Sequence, residues 1–145
     1  MNYKEQMDLI TTYNCKVELL YSELSRKQGI SYHAMLVMFS IKQNQPCTQK
    51  LIAEKCLLAK QTVNSIIKDF ENKGYVVLKN GRNQKEKLIE YTELGEEFCG
   101  NISNEFERIE ERVLKRIGNK ESKLLANSIK KFAEIFEEEL RGYEQ

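Results

Sequence analysis

Between residues 58 and 95 the chain reads LAKQTVNSIIKDFENKGYVVLKNGRNQKEKLIEYTELG, and its hydrophobic period changes twice within that span. Val63, Ile66, Ile67 and Phe70 stand at i, i+3, i+4 and i+7, which predicts a helix over about 60–73 with these four on one buried face. Gly74 follows, a residue type that takes the left-handed helix stop without steric cost. The runs YVVLK and KEKLIEY then suit two short strands joined through NGRNQ, where Asn80-Gly81 is a turn signal. Thr92 is placed to cap a further helix, with Glu93, Glu96 and Glu97 near its positive end. Helix, hairpin and helix in that order confine the chain to a mainly α fold carrying a small β-hairpin.

The segments on either side are helical by the same reasoning. Before the hairpin, Met7, Ile10, Tyr13, Val17, Leu20 and Leu24 form a stripe over about 4–27, and Gly29 is expected to end it. Ser31 reads as the N-cap of a second helix, YHAMLVMFSIKQ, whose apolar residues run nearly all round it, as in a buried helix. His33 lies within it and is expected to be structural. Pro46 breaks the chain, and Thr48 can cap a short third helix, QKLIAEKC, from which LLAK turns into the fourth. After the hairpin, Leu94, Phe98, Ile102, Phe106, Ile109, Val113 and Ile117 make one long stripe. Gly118-Asn119 interrupts it, and Leu125, Ile129, Phe132, Phe136 and Leu140 make another. These terminal stripes lie outside the compact middle, and something must cover them.

Two short helices joined by a tight turn are the helix-turn-helix arrangement, and the hairpin behind them is a wing. The outer face of the second helix carries Gln61, Asn64, Ser65 and Lys68. Amide and hydroxyl groups pair with base edges in a major groove wide enough to admit a helix, while Lys68, Lys73 and Lys79 suit phosphate oxygens. Charge distribution agrees with this. Residues 45–90 hold nine basic and five acidic side chains and residues 91–145 nine and thirteen, in a chain whose net charge is only +1.

Other classes of function lose their material. The four cysteines, Cys15, Cys47, Cys56 and Cys99, match no zinc-finger or C-x-x-C spacing and are expected to be thiols in a reducing compartment. With His33 the only histidine, a His-based metal site or a Ser/Cys-His catalytic arrangement has almost no material to be built from. No cofactor and no catalytic residue is expected, and the chain is read as a non-enzyme. No apolar run approaches the ~20 residues of a membrane span, and the N-terminus lacks a signal-peptide pattern, so the expected location is the cytoplasm.

The order of these features resembles a MarR-family winged-helix transcriptional regulator over about 4–142. The resemblance rests on the polar-apolar recognition helix, on ENKGYVVLKN with the basic wing after it, and on LIEYTELGEEF, which is similar to the family's LTxxG junction. It implies a winged helix-turn-helix over 31–92, flanked by dimerisation helices in 1–30 and 93–145. It also implies base-edge contacts from Gln61, Thr62, Asn64 and Ser65 and wing contacts from Arg82 and Lys85, so the expected DNA-binding set is these with Lys60 and Lys68. Where the family often has Asp-x-Arg in the wing, this chain has Asn83-Gln84-Lys85, and it has Ser65 where many relatives have arginine. Lysine lacks arginine's planar fork, so the wing's minor-groove contact differs from the usual one.

The resemblance further implies a homodimer on a near-palindromic operator, repression, and release by a small-molecule effector or an oxidant, the last through Cys15 in the first helix. An alternative from another class is a winged-helix module that binds proteins through the acidic C-terminal third, without specific DNA binding.

Overall fold

The computed structural model describes residues 1–83 and 85–143. Among them the elements run α1 (Tyr3–Lys27), α2 (Tyr32–Asn44), α3 (Gln49–Cys56), α4 (Lys60–Asn72), β1 (Val76–Asn80), β2 (Lys87–Tyr91), α5 (Glu93–Ile117) and α6 (Asn119–Tyr143). The chain divides into two compact units, one ending at Asn104 and one beginning at Glu105, so the boundary falls within α5.

Helix boundaries follow from local chemistry. Asn2 and Glu5 form a capping box at the head of α1, each side chain accepting the other's backbone N–H at 2.9 and 2.8 Å. Ser31 caps α2 through the Ala34 N–H at 3.1 Å and Thr48 caps α3 through that of Leu51 at 3.1 Å. Gly29, Gly74 and Gly118 follow helices with φ of 78°, 77° and 99°, where a Cβ would be strained. The turn between α3 and α4 differs: Leu57 holds the left-handed conformation there, at φ 53°.

In the first unit the core forms where these elements face one another. Val37, Met38 and Ile41 of α2, Ile52 of α3, Val63, Ile67 and Phe70 of α4, Val76 and Ile89 of the hairpin and Ile102 of α5 are all buried. Each such side chain contributes on the order of 1.5–3 kcal/mol. Ile66 is only half-buried, against expectation. It stands about 100° round the helix from Ile67, at the edge of the packed face. His33 is exposed despite lying in the most apolar helix, its ring tilted against Tyr32 at 6.2 Å. The Tyr91 hydroxyl donates to the Met38 carbonyl at 2.6 Å, and burial holds its phenol above the usual range.

The hairpin is antiparallel, with Val76 opposite Tyr91 and Asn80 opposite Lys87. Asn80-Gly81 is therefore not its turn. Pairing continues past it, the Gly81 N–H donating to the Glu86 carbonyl at 2.9 Å, and the reversal is made beyond Gly81. There Asn83 accepts the Glu86 N–H on its backbone carbonyl at 3.2 Å and on its side-chain oxygen at 3.0 Å. Gln84 lies outside the described residues.

Burial does not follow the terminal stripes. Every residue of 1–20 is exposed, and no described residue of α6 is buried. Val17 is 48% exposed and Phe136 57%, values far from those of a core.

Candidate nucleic-acid interface

Helix α4 is fixed from beneath by its buried stripe and from its C-terminal end by an aromatic cluster. The Phe70 ring meets Tyr75 edge-on at 6.1 Å, and Tyr75 stacks on Phe98 of α5 at 4.1 Å with 7° between the planes. The junction into α5 holds the same place. Thr92 accepts the Gly95 N–H at 3.0 Å and donates its hydroxyl to the Gly74 carbonyl at 2.6 Å. A Cβ built on Gly95 would lie 1.9 Å from the Tyr75 carbonyl oxygen, so only glycine lets α5 approach this closely. The threonine and glycine of the TELG motif thus set the base of the wing. On the opposite strand, Cys47 and Ile89 exchange backbone hydrogen bonds of 3.2 and 2.7 Å. Gln45 accepts the Tyr91 N–H at 2.9 Å while donating to Glu96 at 2.9 Å. These long-range contacts were invisible to periodicity.

On this frame the outer face of α4 is divided. Lys60, Gln61, Ser65 and Lys68 are exposed, whereas Thr62 and Asn64 are half-buried on its two shoulders. Asn72 is exposed and continues the line of Gln61, Ser65 and Lys68 by a further helical turn; the same spacing count would have found it. Nothing in the rest of the described chain accepts or donates hydrogen bonds to the side chains of Gln61, Asn64 or Ser65, and their capacity faces outward.

The cations sort into two groups. Lys73 pairs with Asp69 at 2.9 Å, an attachment that raises its pKa through the hydrogen bond. Lys79 pairs with Glu90 at 2.6 Å and Lys87 donates to the Asn80 side chain at 2.6 Å. Lys73 and Lys79 thus hold ion-pair partners within the chain, both of them at the surface. Lys60, Lys68, Arg82 and Lys85 are exposed and have no ion-pair partner among the described residues. They leave four cationic heads along α4 and at the wing tip.

The cysteines do not converge. Cys47 is buried, and desolvation pushes its thiol up to about 11; Cys56 is pushed up by the same cause. Cys15 is exposed on α1, not packed beside its stripe. Among the described residues no group of three His, Cys, Asp or Glu side chains is placed to hold a metal ion. Among the described residues no helix is long and apolar enough to cross a membrane.

Comparisons with known proteins fall on this same architecture. Residues 28–85, which contain α2 to α4 and the start of the hairpin, match the sequence model of the MarR family. Across the whole chain the fold is that of MarR-family structures. A MarR family regulator from Neisseria meningitidis is 23% identical, with 97% of this chain and 98% of that one covered at a TM-score of 0.75. Staphylococcus aureus MarR, solved in complex with salicylate and kanamycin, is 19% identical over 94% of this chain and 93% of its own, at 0.78. The S. aureus MepR-DNA complex is 14% identical over 94% and 98%, at 0.70. No curated protein matches the sequence.

Proposed function

We propose that this winged-helix chain is a sequence-specific, DNA-binding transcriptional regulator that works as a homodimer. The observation that carries the reading is the outward face of α4: Gln61, Ser65 and Lys68 stand exposed and without partners among the described residues, beside a wing tip bearing Arg82 and Lys85. An amide and a hydroxyl read base edges, and the unpaired cations of Lys60, Lys68, Arg82 and Lys85 neutralise phosphates. Thr62 and Asn64, half-buried on the shoulders, add base-edge contacts at the two sides of the groove. Residues 31–92 form the DNA-binding part, and 1–30 with 93–145 the dimerisation part.

A second copy is the simplest cover for the apolar stripes of α1 and α6. Two recognition helices related by a two-fold axis then read half-sites about one helical turn, roughly 34 Å, apart, which calls for a near-palindromic operator. In its bound state the dimer occludes promoter DNA and represses. Release follows when an effector favours a different spacing of the two winged parts, which requires different affinities for the two arrangements. The salicylate held by the S. aureus MarR supports a small-molecule effector; the exposure of Cys15 supports an oxidant as the alternative trigger.

Selection of bound duplexes from random DNA tests the reading. Wild-type protein is expected to enrich a near-palindrome, Gln61→Ala and Asn64→Ala to change the preferred sequence, and Lys68→Ala to weaken all duplexes alike. Binding that ignores added salt would favour the protein-docking module instead. A sedimentation mass of one chain at micromolar concentration would refute the dimer.

A further inference from the structure

Leu57 is the exception among the chain's left-handed positions. Gly29, Gly74 and Gly118 serve the other positive-φ sites, and among the described residues Leu57 alone has a side chain there, at φ 53° and ψ 43°. The turn needs that conformation. The Leu57 N–H caps the Ala53 carbonyl, and the Leu58 N–H reaches the same oxygen at 3.1 Å, so two hydrogen bonds depend on the bend. Glycine would make the bend without the clash of Cβ against the following carbonyl. Packing gives no reason for the leucine either. Its side chain is 90% exposed, the most exposed of the large apolar residues, while Leu58 beside it is half-buried. Backbone and solvent therefore both disfavour a residue whose only distinctive property here is an outward apolar surface.

Its position in the chain sets that surface beside the proposed reading face. Leu57 precedes Lys60, the first residue of α4, by three positions and Gln61 by four, so its Cα lies within about 14 Å of the leading reader of the exposed face. We infer that Leu57 is an apolar DNA contact, its side chain pressed from the turn between α3 and α4 onto the duplex, against a thymine methyl or a deoxyribose. The inference rests on the proposed DNA binding and adds a contact that hydrogen-bond readers cannot make. Thymine is the base that presents a methyl group in the major groove. An exposed leucine loses its contact with water when the groove wall closes over it.

The test uses the full chain and its selected duplex, measuring thermal stability and DNA affinity together. Leu57→Gly and Leu57→Asn both suit the left-handed bend and are expected to keep or raise the melting temperature while weakening binding by about tenfold or more. Leu57→Met, apolar and flexible, is expected to retain most of the affinity. Replacing thymines by deoxyuridine in the half-site separates the two surfaces. A methyl contact makes wild-type affinity fall at one position and leaves Leu57→Gly indifferent to it, whereas a sugar contact makes Leu57→Gly weaken every duplex equally. Wild-type affinity in the glycine and asparagine variants would overturn the inference while leaving the DNA-binding reading intact. A melting temperature that falls in both would overturn it as well, by showing that the leucine serves the fold. Failure of the wild-type chain to bind any duplex would instead remove the reading beneath it.

Discussion

Helices α4 and α6 both carry apolar residues at three- and four-residue steps, and they end in opposite surroundings. In α4 the stripe of Val63, Ile67 and Phe70 is sealed by α2, α3, the hairpin and the first turns of α5. In α6, Leu125 is 45% exposed, Ile129 60% and Phe132 44%. Amphipathicity states that a face avoids water but not what covers it. The difference lies in the neighbours: α4 is bracketed by short elements that turn back onto it, while no described residue of α6 is buried. One stripe is already paired with its own chain; the other leaves its apolar surface uncovered, which the proposed second copy would bury.

The largest expected effect breaks the sealed side. Gly95→Ala forces a Cβ against the Tyr75 carbonyl and should destabilise the winged part by at least about 3 kcal/mol, seen as loss of a cooperative urea transition. Next, Ile67→Ala is expected to cost about 2–5 kcal/mol at any protein concentration. Its counterpart Phe132→Ala should instead raise the dimer dissociation constant by about tenfold or more, read by sedimentation. If Phe132→Ala shifts a concentration-independent transition as much as Ile67→Ala does, the two helices are not different in kind.

An alkaline titration gives a smaller contrast. Burial raises the folded-state pKa of Cys47 to about 11 from an ordinary value of 9.0, and that of Tyr91 moves in the same direction. Above pH 9 the unfolded chain then holds fewer protons than the folded one, so stability is complete below that pH and declines as it rises towards 11. Cys47→Ala should flatten part of that decline in a denaturation series across those pH values. Exposed Cys15, by contrast, should react with a thiol reagent in the native protein while Cys47 stays silent until unfolding. The smallest effect is Gln61→Ala, which should alter stability by no more than about 0.5 kcal/mol, a result that separates a reader of DNA from a prop of the fold.

How much of this was legible depended on how local the cause was. Helix limits at Ser31, Thr48, Gly74 and Thr92 could be read because a cap or a stop is a few residues of chemistry. The polar face of α4 followed from the same counting. What escaped involved partners far along the chain. The Lys79–Glu90 pair, the Gln45 bridge to Tyr91 and Glu96, and continued strand pairing past Asn80 are set by register and packing. The half-burial of Asn64 and the exposure of His33 belong to the same class, since a helical wheel has no knowledge of which neighbour stops short. Leu57 escaped for another reason: nothing in a leucine's identity signals a left-handed bend.

The bridge between Cys47 and Ile89 also governs how the protein behaves when crowded. Both backbone groups of Ile89 and the amide of Tyr91 are taken on the outer side of β2, so a foreign strand finds little to grip there. Among the described residues the far rim of β1, five residues long, is the one left without such bonds. Ribbon growth needs two free rims per molecule. With one, a chance rim-to-rim encounter closes on itself as a four-stranded pair and cannot propagate into a fibre.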